Sequence, residues 1–314
     1  MDLPTLDLNN IDATAMDRAC RDWGCFHLVG HGLPAQLRSD ALLHCQQFFH
    51  QATARKNLIR RSASNAWGFY DAELTKNRRD WKEILDIGPA TQTGPMAGSS
   101  PQWPEIPGFR DVMIEISNHM HAIALQLVGA VTSALQSTVG LLHAFEQHTS
   151  FLRLNYFPPC PEAAPADTPE LPATGHLGIA HHTDAGALTV LLTDAQAGLQ
   201  IRRAHRWHPV TPQTEALYIN IGDIVQVWSN DRYRAPLHRV LANPGQERFS
   251  LPYFLNPAYQ YDYAPLPDGL GSVSPPRYQR INWGNFRQRR SAGDYADLGE
   301  ELQISNFAIA PGPV

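Results

Sequence analysis

From Phe151 onward the chain breaks into short apolar or alternating runs separated by Gly, Pro, Asn and Asp: FLRLNYFPP, GIAHHTD, ALTVLLTD, GLQIRR, ALYINIG, DIVQVWSN, APLHRVLA and RFSLPYFLNP. No other feature narrows the fold as far. Short strands punctuated this regularly by turn residues specify a β-sandwich or barrel. The first half reads differently. Residues 12–23 and 34–50 are expected helices, the second with Pro34 in its first turn, where a missing N–H costs nothing. Val112, Ile116, Met120, Ile123, Leu127, Val131 and Leu135 recur at spacings of three and four. That predicts one long helix over residues 109–142, its apolar stripe laid on a sheet. A last helical stretch is expected within residues 287–305, and a turn between strands at Gly222 and Asp223. The expected architecture is mostly β with flanking helices.

The 314 residues are 43% hydrophobic, ample for one large core. We read a single domain: a helix-rich region over 1–108, the long helix over 109–150, a β core over 151–260 and an extension over 261–314. A formal net charge of -5 gives no electrostatic case for nucleic acid or an anionic membrane surface. No basic segment followed by an apolar one opens the sequence, and no apolar run is long enough to span a bilayer. Cys20, Cys25, Cys45 and Cys160 are scattered and form no CxxC pair, the usage of reduced thiols. Together these features predict a cytoplasmic location.

The stretch GIAHHTDAGALTVLL places ionisable groups inside an apolar run. Burying a lone carboxylate or imidazole costs several kcal/mol, on the order of a whole domain's margin, unless a partner meets it. Alternate residues of a strand share a face, so His182 and Asp184 aim together and His181 aims away. An imidazole and a carboxylate on one face are two ligands for a divalent metal. His238, in the run APLHRVLA, is the best third, 56 residues after His182. Two His and one carboxylate with open positions opposite them form the facial triad of non-haem Fe(II) oxygenases. Arg248 and Ser250 in RFSLPYF are again two apart. A planar guanidinium beside a hydroxyl suits a ligand carboxylate, and equally a structural ion pair. The ten-residue step from His238 to Arg248 predicts adjacent strands of a hairpin.

The ordered set RDWGCFHLVGHGLP, RLNYFPPC, HHTDAGALTVLLTDAQAGLQI, INIGDIVQVWSNDRYRAPLHRV and RFSLPYF resembles the isopenicillin N synthase-like family of Fe(II)/2-oxoglutarate-dependent dioxygenases over most of the chain. The resemblance implies a double-stranded β-helix, or jelly roll, with helices outside it. It implies Fe(II) held by His182, Asp184 and His238, and dioxygen and 2-oxoglutarate as cosubstrates. The distal carboxylate of 2-oxoglutarate would meet Arg248 and Ser250, with Asn155 a further contact. Family members often carry Asn-Tyr-Tyr where this chain has Asn155, Tyr156 and Phe157, so one hydroxyl is missing. That hydrogen bond is worth about 1 kcal/mol.

The implied activity is hydroxylation or desaturation of a small molecule, coupled to decarboxylation of 2-oxoglutarate to succinate. In related enzymes the region around WGFYDAELTKNRRDWK helps line the pocket entrance. Phe69 or Tyr70 is therefore expected against the substrate, with Arg79, or its neighbours Arg78 and Lys82, meeting a substrate carboxylate. Phe254, Asn256 and Phe286 are further lining candidates. Two other readings fit the same residues: an iron-dependent oxidase of this fold that does not use 2-oxoglutarate, and a non-catalytic jelly-roll binding or sensor protein.

Overall fold

A computed structural model describes residues 3–90, 94, 96–267, 275–294, 296–299 and 301–309. Strand β1 (Thr5–Asp7), helix α1 (Ala13–Asp22), strand β2 (Cys25–Val29) and helix α2 (Ala35–Phe49) come first. The short helix α3 (Thr53–Lys56) precedes strands β3 (Gly68–Tyr70), β4 (Leu74–Thr75), β5 (Arg78–Arg79) and β6 (Glu83–Ile87). Helix α4 (Phe109–Ala134) leads to β7 (Phe151–Phe157), β8 (Leu177–His182), β9 (Leu188–Thr193), β10 (Leu199–Arg203), β11 (Arg206–Pro209) and β12 (Leu217–Ile221). Helix α5 (Asp223–Trp228), β13 (His238–Leu241), β14 (Arg248–Leu255), β15 (Asp262–Tyr263), β16 (Ile281–Asn282) and helix α6 (Trp283–Ala292) complete the order.

Two sheets carry the core. The larger runs β1-β2-β12-β9-β14-β7-β6-β3, and the smaller runs β11-β10-β13-β8. They face each other as a jelly roll and do not close into a barrel. Phe157, Leu191, Leu199, Ile201, Tyr218 and Val240 fill the space between them. The outer face of the larger sheet is covered by α4, which also packs on α1 and α2. Both faces of β9 and β14 are therefore buried, and their residues divide by parity. Leu188, Val190, Leu192, Phe249, Leu251, Tyr253 and Leu255 join the helical layer, while Thr189, Leu191, Arg248, Ser250, Pro252 and Phe254 line an interior cavity.

The helices start where their caps dictate. Asp12 Oδ1 accepts from the Ala15 N–H at 2.7 Å and begins α1, whose Met16, Ala19 and Cys20 are buried. Helix α4 ends at Ala134 rather than running on to residue 142. Thr132 and Ser133 turn their hydroxyls back onto the carbonyls of Val128 and Gly129, and Gln136 adopts φ +54°. A weak helix-forming tail and a left-handed residue end the helix, and a separate 3-10 turn follows at Leu142–Phe145.

Two further expectations are corrected. The run DIVQVW is helix α5 and not a strand, and Gly222 is its N-cap rather than part of a simple turn between strands. Asp223, Ile224, Val225, Val227 and Trp228 are all buried, so no periodic exposure distinguished a helix from a strand. The predicted hairpin is also absent. His238 begins β13 in the smaller sheet and Arg248 begins β14 in the larger one, so they face each other across the interior.

Candidate active site

Strand pairing brings the first two imidazoles together. His182 ends β8 and His238 begins β13, and the two are direct cross-strand partners with ring centroids 4.2 Å apart. Asp184 lies just past the end of β8 and not on the strand itself. Its Oδ1 sits 3.7 Å from His182 Nε2 and 3.5 Å from His238 Nε2. Their ligating atoms all lie within 4.8 Å of one another.

The remaining atoms of the three side chains are spoken for. His182 Nδ1 pairs with the Ala180 carbonyl at 2.9 Å and His238 Nδ1 with that of Pro236 at 3.0 Å. A carbonyl only accepts, so each Nδ1 carries the proton and each Nε2 presents a lone pair to the shared point. Asp184 Oδ2 accepts from Thr189 Oγ1 at 2.5 Å and from Asn220 Nδ2 at 3.3 Å, which leaves Oδ1 for the same point. Burial, then neighbouring His238, holds the His182 imidazole well below its ordinary pKa, so it is neutral. Burial opposes ionisation of Asp184, but His238, His182 and the two hydrogen bonds outweigh it and lower its pKa. Two imidazole nitrogens and one carboxylate oxygen, converging and oriented from behind, fit a ferrous ion.

Across the same cavity, Arg248 and Phe157 are cross-strand partners, as are Ser250 and Asn155. Arg248 is 5% exposed, yet among the described residues no carboxylate reaches ion-pair distance of it. Its guanidinium donates to Thr193 Oγ1 at 3.0 Å, to the Gln196 carbonyl at 3.3 Å and to Ser250 Oγ at 3.5 Å. The Phe157 ring covers it, with Cζ 5.2 Å from the ring centroid. Burial pushes its pKa down to about 10, partly opposed by Asp194, so it stays charged at neutral pH. Asn155 Nδ2 donates to Ser250 Oγ at 3.4 Å, and its buried Oδ1 has no partner. A buried, charged guanidinium with a hydroxyl and an amide beside it, and no carboxylate at ion-pair distance among the described residues, can receive a ligand carboxylate.

The cavity walls depart from the expected ones. Phe254 and Asn256 line them, but Phe69, Tyr70, Arg79 and Phe286 do not. Phe69 is buried among core aromatics, its ring 6.1 Å from that of Phe48. Tyr70 stacks beneath the Arg61 guanidinium at 4.3 Å. Arg79 is exposed and donates to the Asp71 carbonyl at 2.9 Å, and Arg78 donates to the Pro172 carbonyl. Phe286 lies on the buried side of α6, against Trp283 and Phe307. Lys82 does reach the cavity, but it is held by Glu73 at 2.7 Å and Asp80 at 3.0 Å. His181 aims away from the cluster, as strand alternation requires.

The sequence reading missed the residues that replace them. Arg153 on β7 lines the cavity but forks onto Asp86 at 2.7 and 2.8 Å and reaches Glu73 at 2.9 Å. Trp283, Arg287, Arg290 and Asp294 form another wall. Their spacing of four, three and four residues is one helical face, a signal present in the sequence.

A model of the 2OG-Fe(II) oxygenase superfamily matches residues 148–257, and one for the non-haem dioxygenase in morphine synthesis N-terminal region matches residues 3–106. Gibberellin 2-beta-dioxygenase 6 of Oryza sativa subsp. japonica is 30% identical over 327 residues, covering 98% of this chain and 85% of that relative. The chain belongs to the 2OG-Fe(II) oxygenase superfamily. Jasmonate-induced oxygenase 2 of Arabidopsis thaliana is 31% identical over 306 residues, covering 91% of this chain and 78% of its own length. The crystal structure of JOX2 in complex with 2OG, Fe and JA matches with a TM-score of 0.81 at 27% identity, covering 99% of this chain and 90% of that one. The dioxygenase for auxin oxidation in rice shares the fold, its crystal structure matching with a TM-score of 0.74 at 22% identity over 98% of this chain and 100% of that one. This oxygenase is therefore an Fe(II)- and 2-oxoglutarate-dependent dioxygenase acting on a small molecule. No helix among its described residues is long and apolar enough to cross a membrane.

Proposed function

We propose that His182, Asp184 and His238 hold the ferrous ion, that Arg248, Ser250 and Asn155 receive the distal carboxylate of 2-oxoglutarate, and that the substrate carries a carboxylate met by Arg287. The observation that carries the first two assignments is the shared cavity. A converging two-His, one-carboxylate set and a buried guanidinium without a counter-ion line it together. Iron with 2-oxoglutarate and dioxygen supplies the oxidising power to take a hydrogen atom from an unactivated carbon.

The chain itself binds, orients and excludes water. Phe157, Leu191, Leu199 and Val240 make the wall between Arg248 and the triad apolar. Water is thereby kept from the reacting centre, and electrostatic contacts there gain strength. Thr189 and Asn220 fix the Asp184 carboxylate, and the Ala180 and Pro236 carbonyls fix the imidazole tautomers.

The substrate assignment follows from which cations at the cavity are already paired. Lys82 and Arg153 are held by carboxylates, and Arg290 by the carbonyls of Leu302 and Thr183 and by Gln303. Arg287 makes no ion pair among the described residues, and its guanidinium lies 5.6 Å from the Phe151 ring centroid. A cytoplasmic location is supported by Cys20, Cys25, Cys45 and Cys160, all buried and free.

The test is succinate formation by the purified enzyme with Fe(II), with and without 2-oxoglutarate, against a panel of small carboxylic acids and their amides. The proposal expects turnover that requires 2-oxoglutarate and is stimulated by an acid far more than by its amide. Oxygen uptake independent of 2-oxoglutarate, or stimulation by amide and acid alike, contradicts it.

A further inference from the structure

The α6 wall presents a second charge to the cavity, of opposite sign to the first. Gly293 keeps helical dihedrals (φ -68°, ψ -19°), and the Asp294 N–H donates to the Ser291 carbonyl at 3.2 Å. The helical turn therefore carries through to Asp294, which falls on the same face as Trp283, Arg287 and Arg290. Trp283 is fixed by its indole N–H to Thr149 Oγ1 at 2.9 Å, and Arg290 by its carbonyl partners. Arg287 and Asp294 are uncommitted. Among the described residues neither side chain makes a hydrogen bond or an ion pair, although both line the cavity. Burial and the facing Glu73 push the Asp294 carboxyl up to about 7, with Arg287, Arg153 and Arg290 offsetting this only in part. Arg153 is saturated by Asp86 and Glu73 and Arg290 is paired with Glu301, which leaves Arg287 as the uncommitted cation nearby, and among the described residues it makes no ion pair with this carboxylate.

An unpaired guanidinium and an unpaired carboxylate on one wall are the complement of a zwitterion. Seven residues of helix separate them by about 10 Å along the axis, a gap that the long Arg287 arm narrows. Phe151 and Phe254 also line the cavity, with ring centroids 4.9 Å apart, and Pro252 lies beside them. These side chains offer an apolar surface with no charge to satisfy.

We propose that the substrate is a small zwitterion of the amino-acid type, its carboxylate on Arg287, its ammonium on Asp294 and its apolar side chain against Phe151 and Phe254. This rests on the assignment of Arg287 above and extends it by the second charge. Asp294 is thereby a specificity residue. It favours the amino acid over the simple carboxylic acid, because only the ammonium gives its carboxylate a partner.

The test is calorimetric titration of the Mn(II)- and 2-oxoglutarate-loaded protein with apolar L-amino acids and their deaminated counterparts, such as L-phenylalanine with 3-phenylpropanoate and L-leucine with 4-methylpentanoate. At least one amino acid is expected to bind about tenfold or more tightly than its deaminated partner. Asp294→Asn should remove that difference while leaving the deaminated acid and 2-oxoglutarate bound as before. Arg287→Gln should weaken both members of the pair. The preference should also fade as pH falls from about 8 to about 6, because Asp294, facing Glu73, Arg153, Arg287 and Arg290, takes up a proton while the ligand ammonium keeps its charge. Equal binding of the two members, no binding by any amino acid, or an unchanged ratio in Asp294→Asn overturns the proposal. Failure of the unaltered protein to bind 2-oxoglutarate overturns the oxygenase site beneath it, a separate and distinguishable result.

Discussion

Asp184 shows how far one side chain depends on its neighbours. One of its oxygens faces two imidazoles, and the other is held by Thr189 and Asn220. Thr189→Val keeps the shape of the side chain and deletes the hydroxyl. It is expected to weaken Mn(II) binding about ten- to hundredfold, as loss of a metal site's outer hydrogen bonds does, with the fold intact by circular dichroism. At this scale the sequence was legible where geometry is local. Arg248 and Ser250 are two apart on β14, so alternation aims them together, whereas His182 and Asp184 are also two apart but Asp184 joins the cluster from just past the end of β8. Phe69, Tyr70 and Arg79 were misread because a cluster of aromatic and basic residues looks the same whether it lines a cavity or builds a core. Phe69 packs on Phe48, from a segment 21 residues earlier, a contact that no local spacing encodes.

Between elements, the site depends on close approach of backbone. Gly222, the cap of α5, sits where a Cβ would lie 2.1 Å from the Gly186 carbonyl oxygen and 2.9 Å from that of Asp184. The two loops are also joined by Asp223 N–H to Asp184 O at 2.8 Å. Gly222→Ala is expected to destabilise the protein by roughly 1–3 kcal/mol through overpacking. The displaced Asp184 loop should also weaken Mn(II) binding, which separates this variant from a plain core defect. Denaturant unfolding and metal titration read the two effects. The α5 segment also marks where sequence reading stops. Its apolar run is buried all round, so neither period 2 nor period 3.6 stands out. Strands β7 and β14 were readable as strands, and the alternate positions Arg248, Ser250 and Phe254 expected at the site do line the cavity. The α6 wall escaped because its Arg and Asp residues share a helical face that carries no apolar stripe.

Across the whole molecule, both sheets contribute to one site: β8 and β13 from the smaller, and β7, β9, β12 and β14 from the larger. A ligand bound there bridges the two and binds only the folded state. Metal and 2-oxoglutarate, each at about a hundredfold above its dissociation constant, should each stabilise the fold by about 2.7 kcal/mol. Chelation is therefore expected to lower the melting temperature by several degrees. Adding 2-oxoglutarate should raise it again only when Mn(II) is present. The jelly roll was implied by the family resemblance, whereas the mostly-β class and the long helix were legible in strand punctuation and helical periodicity, which are local signals. The assignment of β13 and β14 to opposite sheets was not, because residues 242–247 pass from one sheet to the other and the sequence marks that passage no differently from a hairpin loop.

The central claim is that the two-His, one-carboxylate cluster and Arg248 act as one site. The direct measurement is succinate formed per 2-oxoglutarate consumed, across a range of 2-oxoglutarate concentrations, in the unaltered enzyme, His238→Ala and Arg248→Met. The account predicts equal molar amounts from the unaltered enzyme and none from His238→Ala at any concentration. Arg248→Met should recover turnover only at concentrations about tenfold or more higher. Succinate formation by His238→Ala, or an unchanged 2-oxoglutarate KM in Arg248→Met, would contradict it.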